Sequence, residues 1–433
     1  MRKFGLLGEK LEHSFSPQIH AMLADYEYKL YEKSPDEVGE FLRSGDFDGL
    51  NVTIPYKKTA LTLCDSLSDA AVRIGCVNTI IRRDDGALYG DNTDYFGFSY
   101  MLVKSGADVR GKKALVLGDG GAAATVRAVL ADAGASMVVT ISRRGPDNYD
   151  NISKNTDASI IVNTTPVGMF PGNGASPVDP GLFTSCEAIL DVIYNPAKTE
   201  LMLLAEDMGI PCTGGLVMLA AQAKRAGGLF LGMDRNNCFP ETKTPERDSP
   251  FPPDREGTGS FVSEIDGIAD MLARKMMNIA LIGMPGSGKT TVGKALALLT
   301  GRKFFDLDEL IVSRAGKSIE AVFNDDGETV FRDLEEDVLR EVSKEHGSVI
   351  ATGGGVVTRP VNRRLLRQNS VVVFLDRDPG ELPADGRPLS LSLGVSALYS
   401  ERLPLYREWS DNIITARCGV DETAQAVREI LKL

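Results

Sequence analysis

Apolar and polar positions along this chain follow two periods, and their alternation organises it. Short aliphatic runs occur at 4–8, 49–54, 114–120, 136–142, 159–165 and 188–194 in the first half. In the second half they occur at 278–284, 303–308, 348–354 and 371–376. Between them apolar residues recur at helical spacing, which is the signature of βαβ units around parallel sheets, so both halves are expected to be α/β. One stretch breaks the texture. Residues 236–259 are rich in Pro, Glu, Asp, Thr and Ser and poor in aliphatic side chains. Such a segment cannot bury enough apolar surface to offset the entropy of ordering, which predicts an interdomain linker. Beyond it, Phe261, Ile265, Ile268, Met271 and Leu272 form a helical stripe, expected to be a docking or linker helix.

Composition narrows the class. A chain of 433 residues is too long for one core and favours two or three domains. It is 43% hydrophobic and 25% charged, no run approaches the ~18 consecutive apolar residues of a membrane helix, and Glu9 interrupts what would otherwise begin a secretory signal. The expectation is a cytoplasmic protein without a membrane partner. The six cysteines are scattered and read as reduced thiols, and three histidines (His13, His20, His346) make a zinc site improbable. A net charge of -12 argues against nucleic acid, whereas small anions could still be held by local Arg and Lys clusters.

The chemistry is most open in the second half. Gly283 to Thr290 reads G-x-x-x-x-G-K-T between an expected strand (278–282) and an expected helix (291–299). Gly283, Gly286 and Gly288, with Ser287 and Thr291, would let backbone N–H groups cradle ATP phosphates at a helix N-terminus, while Lys289 reaches the β/γ-phosphates and Thr290 binds Mg²⁺. Asp306 and Asp308 follow, read as lying on one side of a strand at period two. In the first half, Gly118, Gly120, Gly121 and Ala122 form a turn after a strand, suited to the close approach of a pyrophosphate. At the end of the next strand stand Ser142, Arg143 and Arg144, where basic residues favour a 2′-phosphate and hence NADP over NAD, Arg143 being the best contact.

These segments have companions in a fixed order. In the second half they are 316–320, 327–335, 352–355, 387–389 and 401–406, and over 278–433 the set closely resembles shikimate kinases. The resemblance implies that Asp306 acts with Mg²⁺ and that Asp308 contacts the shikimate hydroxyl, orienting it or accepting its proton. It also implies that Arg332 and Arg402 clamp the substrate carboxylate, that Gly354 and Gly355 line the pocket, and that Arg387 serves ATP from a mobile lid. In the first half, 13–17, 51–57, 77–79, 90–94, 163–166 and 214–222 resemble shikimate dehydrogenases over about 1–235. Here the resemblance implies that Ser14 and Ser16 hold a carboxylate and that Thr53, Asn78, Asp94 and Gln222 bind ring hydroxyls. Lys57 and Asp94 would form the catalytic pair, with Thr164 and Gly215 joining the cofactor contacts.

The expectation is therefore an α/β fold of two parts. The N-terminal part has two domains, an α/β substrate domain (1–105, with helices near 216–235) and a Rossmann NADP domain (106–235). A linker with its helix (236–276) leads to a C-terminal P-loop kinase with a parallel sheet flanked by helices (277–433). The substrates implied are 3-dehydroshikimate and shikimate, and the cofactors NADP(H), ATP and Mg²⁺; a quinate/shikimate dehydrogenase using NAD, or a regulatory binding protein with one degenerate half, are the rival readings. Three departures from the families stand out. Asp119 occupies the glycine turn where a small apolar residue is expected, the connection 145–158 is short, and the lid segment 376–386 is short and carries Pro379 and Pro383.

Overall fold

The computed structural model describes residues 2–11, 14–232, 258–382, 394–415 and 419–433. It divides into two compact units. Unit 1 comprises Met1–Gly168, Ala175–Tyr194 and Leu204–Leu272, and unit 2 comprises Met169–Gly174, Asn195–Leu203 and Ala273–Leu433.

Unit 1 holds two sheets, which define two lobes. The first is built from β1 (Lys3–Gly8), β2 (Glu27–Glu32), β3 (Gly49–Val52), β4 (Ser66–Leu67), β5 (Thr79–Arg82) and β6 (Leu88–Asp91), in the order β2-β1-β3-β5-β6-β4. Its helices are α1 (Ser16–Leu23), α2 (Val38–Ser44), α3 (Lys57–Leu63) and α4 (Asp69–Ile74). Helix α5 (Thr93–Lys104) leads out of it, started by Asn92, whose side chain accepts from the Tyr95 N–H at 3.1 Å and satisfies a donor the first turn leaves over. The second sheet contains β7 (Lys113–Leu117), β8 (Met137–Ile141), β9 (Ile160–Asn163), β10 (Ala188–Asp191) and β11 (Cys212–Gly214), in the order β11-β10-β9-β7-β8, all parallel. Strands β9 and β10 are buried at every position, which is why they read as unbroken apolar runs. Helix α6 (Gly121–Asp132) packs on this sheet and α7 (Glu200–Asp207) follows β10, whereas α8 (Leu216–Leu231) packs on α1 and α5 and sets Phe230 against Phe4 of β1, joining the first lobe. The short 145–158 connection carries a 3₁₀ helix (Tyr149–Asn155) and no α-helix, so β8 is left as the edge strand.

The stripe beginning at Phe261 forms α9 (Thr258–Met276), and its placement sharpens the expectation of a linker helix. Ile265, Ile268, Ala269 and Leu272 are buried in one apolar cluster with Ile19, Tyr100, Ala220, Ala221 and Ala223, from α1, α5 and α8. Asp266 accepts from the Tyr100 hydroxyl at 2.8 Å and pairs with Lys104 at 2.7 Å, and Glu264 pairs with Lys224. Up to Leu272, α9 is thus a packed element of unit 1, not a tether. Met271, the fifth member of the stripe, is 54% exposed. The expected linker, apart from its last two residues at the start of α9, falls outside the described residues, as do His13 and Arg387.

Only Met277 separates α9 from β12 (Asn278–Ile282), the central strand of unit 2. With β13 (Lys303–Asp306), β14 (Ser348–Ala351), β15 (Ser370–Asp376) and β16 (Asn412–Thr415) it makes a parallel sheet in the order β13-β14-β12-β15-β16. The helices are α10 (Lys289–Thr300), α11 (Leu307–Ala315), α12 (Ile319–Asp325), α13 (Gly327–Val342), α14 (Pro360–Asn369), α15 (Val395–Trp409) and α16 (Val420–Ile430). One reading from the sequence is corrected here: Asp306 and Asp308 do not share a strand. β13 ends at Asp306, whose carboxylate accepts from the N–H groups of Asp308 (3.0 Å) and Glu309 (3.3 Å), capping α11 and placing Asp308 in its first turn. No described helix is long and apolar enough to cross a membrane.

Candidate active sites

In unit 1, Lys57 opens α3 and Asp94 lies in the first turn of α5. Their side chains meet with Lys57 Nζ donating to Asp94 Oδ2 at 2.5 Å, at side-chain exposures of 20% and 11%. A buried polar network stands behind them. Asn78 Oδ1 accepts from the Thr93 N–H at 2.6 Å and from the Thr79 hydroxyl at 3.1 Å, and Thr93 Oγ1 reaches Gln222 Oε1 at 3.5 Å. Asn51, which carried no assigned role, extends the network. Its Oδ1 accepts from the Tyr28 hydroxyl at 2.8 Å and its Nδ2 donates to Thr79 Oγ1 at 3.3 Å. At the near end of α1, the Ser16 N–H donates to Ser14 Oγ at 3.2 Å, and the Ser16 side chain hydrogen-bonds Tyr28. Thr53 follows β3, its N–H donating to the Leu7 carbonyl at 2.9 Å. The expected substrate residues therefore belong to one neighbourhood, made of neutral hydroxyls and amides around a single lysine–carboxylate pair. His20 adjoins it. Its ring stacks on Tyr28 with centroids 3.9 Å apart, its Nδ1 lies 2.6 Å from the Tyr26 hydroxyl, and burial pushes its pKa down to about 3. It is therefore a neutral packing residue at pH 7.

The dinucleotide turn faces the same place. Gly118 has φ +107, and a Cβ there would lie 2.9 Å from Thr164 Oγ1, so only glycine fits against Thr164. Gly120 caps α6, and a Cβ built on Gly121, with Ala122 next, would sit 3.8 Å from Lys57 Cδ. The N-terminal end of α6 thus lies next to Lys57. Gly215 caps α8, where a Cβ would strike the Val192 carbonyl. Ser142 is buried at the end of β8, while Arg143, Arg144 and Asp119 are exposed. Arg143 and Asp119 both act electrostatically on the Tyr149 hydroxyl, with opposite sign.

Unit 2 is built differently. Gly283, Gly286 and Gly288 have φ of +146, +83 and +93, the conformations a phosphate cradle needs and side chains resist. Lys289 Nζ donates to the Gly283 and Met284 carbonyls, both at 2.9 Å, inside the loop. The Ser287 hydroxyl is buried with no hydrogen-bond partner among the described residues. Thr291 donates to the Gly288 carbonyl at 2.9 Å, and Thr290 donates to Asp306 Oδ2 at 2.7 Å. A second cluster lies beside the cradle. Arg332 and Arg402 are 6% and 4% exposed. Arg332 donates to Glu335 Oε2 at 2.9 Å and to Glu328 Oε1 at 3.1 Å, and Arg402 donates to the Gly354 carbonyl at 3.1 Å. A Cβ on Gly355 would collide with the Arg332 guanidinium, and one on Gly354 with Pro285 of the phosphate loop, so these glycines bring the arginines and the loop together.

Glu335 is the residue that the sequence named without using. It is fully buried, burial pushes its pKa up, and Asp308 and Arg402 both act on it. A Cβ on Gly353 would lie 3.2 Å from Asp308 Oδ1 and collide with Glu335, which puts both carboxylates at one spot. Its signal was the i,i+3 spacing from Arg332 on a helix. Glu335 Oε1 and Arg402 Nε have no hydrogen-bond partner among the described residues, and buried polar atoms left over in this way mark a place for a polar ligand.

Comparison with known proteins finds matches for both parts of the chain. The family model for the shikimate dehydrogenase substrate binding domain matches residues 6–80, and that for shikimate kinase matches 285–432. The chain is 37% identical over 246 residues to the shikimate dehydrogenase (NADP(+)) of Clostridium beijerinckii, spanning 52% of this chain and 90% of that protein. Among solved structures, shikimate dehydrogenase 1 from Peptoclostridium difficile superposes with a TM-score of 0.53 at 33% identity, covering 63% of this chain and 98% of its own. A chorismate mutase/shikimate 5-dehydrogenase fusion from Clostridium acetobutylicum gives 0.54 at 30%, covering 64% and 98%. Shikimate 5-dehydrogenase from Thermus thermophilus, solved with NADP(H) and shikimate, gives 0.51 at 30%, covering 63% and 99%.

Proposed function

We propose, from the premise that this chain belongs to the shikimate dehydrogenase family and carries a shikimate kinase domain after it, that its two units catalyse consecutive reactions. Unit 1 reduces 3-dehydroshikimate to shikimate with NADPH, and unit 2 phosphorylates the 3-hydroxyl of shikimate with Mg-ATP. One feature, present in each unit, supports the reading: a glycine turn with positive φ stands beside a cluster of polar side chains.

In unit 1 the serine hydroxyls of Ser14 and Ser16 hold the carboxylate, and Asn78 and Gln222 fix the ring hydroxyls from their network. A bound nicotinamide would supply the hydride that reduces the ketone carbon. Lys57 donates to the carbonyl oxygen, stabilises the charge that grows there and passes it a proton, while Asp94 holds the ammonium in line at 2.5 Å. Arg143 at the end of β8 supports NADPH as the donor, through its charge on a 2′-phosphate.

In unit 2, Arg332 and Arg402 clamp the carboxylate with forked, permanent charge. Asp308 orients the attacking hydroxyl or takes its proton, and Lys289 leaves the loop carbonyls to neutralise charge on the transferring phosphoryl group. The Thr290 hydroxyl and the Asp306 carboxylate, 2.7 Å apart, are a hard oxygen pair that fits Mg²⁺, whose remaining positions water and phosphate would fill. A single mixture of 3-dehydroshikimate, NADPH and Mg-ATP tests the whole reading. Shikimate 3-phosphate should accumulate as NADPH is consumed; folded protein that makes none, or that uses NADH in strong preference, sinks it.

A further inference from the structure

We propose that Arg73, Asp132 and Tyr95 form a clasp that holds the two lobes of unit 1 together over the hydride-transfer site, and so act as positioning residues for the reduction. The inference rests on the reduction proposed above. Arg73 stands on α4 in the substrate lobe, and Asp132 is the last residue of α6 in the dinucleotide lobe. Arg73 Nη1 and Nη2 donate to Asp132 Oδ1 at 3.1 Å and Oδ2 at 2.6 Å, a two-pronged pairing with a fixed mutual orientation. The Tyr95 hydroxyl donates to the same Oδ2 at 2.6 Å, and the Arg73 guanidinium lies 5.3 Å from the centre of the Tyr95 ring. Tyr95 is the residue after Asp94. One carboxylate at the end of α6 therefore gathers Arg73 of the substrate lobe and Tyr95 of α5, the helix that runs between the lobes and carries the proposed catalytic aspartate in the same turn.

The position of α6 gives this its significance. Its first residue, Gly121, abuts Lys57, and its last is Asp132. A helix of 12 residues is a rod of about 18 Å, and this one meets the substrate lobe at both ends. Hydride transfer requires reacting atoms about 3–3.5 Å apart, so rocking of α6 about one end displaces the nicotinamide side at the other. Arg73 and Asp132 are 47% and 35% exposed. An ion pair so open to water adds little to folding. It can still bias a closure equilibrium whose two states are near in energy.

The full chain is the object of the test, with phosphorylation of added shikimate as an internal measure of intact enzyme. Arg73→Ala and Asp132→Asn should each lower kcat for reduction by roughly three- to tenfold, in line with the loss of about one ion pair with its hydrogen bonds. The Kd of NADPH alone should move less than about twofold, because the glycine turn is untouched. The double variant should be no worse than either single one, since both remove one interaction. Arg73→Lys should recover part of the rate, and Tyr95→Phe, too mild to unfold the unit, should lower kcat in the same direction. Rising salt should slow the unaltered chain towards the variants and leave the variants flat. Reduction within about twofold of the unaltered chain in both single variants, additive losses, or identical salt profiles would overturn the clasp while leaving the assigned reaction standing. An unaltered chain that phosphorylates shikimate but never oxidises NADPH would overturn both.

Discussion

The candidate sites of unit 1 and unit 2, proposed for the same cyclic carboxylate, are built by opposite means. In unit 1 the residues proposed to hold the substrate are hydroxyls and amides, and the charged pair beside them, Lys57 with Asp94, stays in partial contact with solvent. In unit 2 the charges are the pocket: Arg332, Arg402 and Glu335 are all buried, and glycines at 353–355 are bare so that they can fit. The first site is an assembly of mostly neutral groups linked by hydrogen bonds. The second is a buried ionic cluster in which function and folding share the same side chains. Buried charges cost several kcal/mol each to desolvate, and removing one partner exposes that cost in full.

That contrast can be broken. The largest effect should come from Lys57→Ala, which removes the proton donor and should cut reduction by about 10²–10⁴ while leaving phosphorylation of added shikimate unchanged. Lys289→Ala should do the reverse. If either change silenced both activities in folded protein, the two pockets would not be separate sites. Next in size is Glu335→Ala. It removes one of the two carboxylates paired with the buried guanidinium of Arg332, leaving Glu328, and should destabilise unit 2 by about 2 kcal/mol in urea unfolding, whereas Asp94→Ala should cost unit 1 much less because its partner can reach water. Equal losses would erase the difference between the sites. The smallest effect sharpens the account of unit 1. His20 has its folded pKa pushed down to about 3, below its ordinary 6.5, so the unfolded chain binds the extra proton between those values. Stability is complete above about pH 6.5 and should fall with decreasing pH at up to about 1.4 kcal/mol per unit. His20→Gln should flatten that slope, and a slope that persists would assign the titration elsewhere.

The phosphate loop was legible from its spacing alone, whereas the lysine–aspartate pair and both arginines were reached only through the family resemblance. Spacing failed where a role is created by the meeting of distant segments. Glu335 lies in a quoted motif, yet its importance comes from Gly353 and Asp308 arriving at its carboxylate. Asn51 matters through Tyr28 and Thr79, and Arg73 through a residue 59 positions away. Asp306 and Asp308 were misread because a residue that ends a strand can also cap a helix, and period-two reasoning stops at the cap. The apolar stripe of α9 was visible, but a stripe says only that a face is buried, and the partners were α1, α5 and α8.

Helix α9 gives the fusion an unusual wiring. The last helix that unit 1 packs against itself continues, after one residue, into the central strand of unit 2. A protease that nicked the chain anywhere between 233 and 257 would sever the polypeptide without releasing the halves. The C-terminal fragment would keep its grip through Ile265, Ile268 and Leu272, and the two pieces would elute as one species until a denaturant parted them. A gene splice that ended the first enzyme before 258 would likewise hand part of its hydrophobic core to the second.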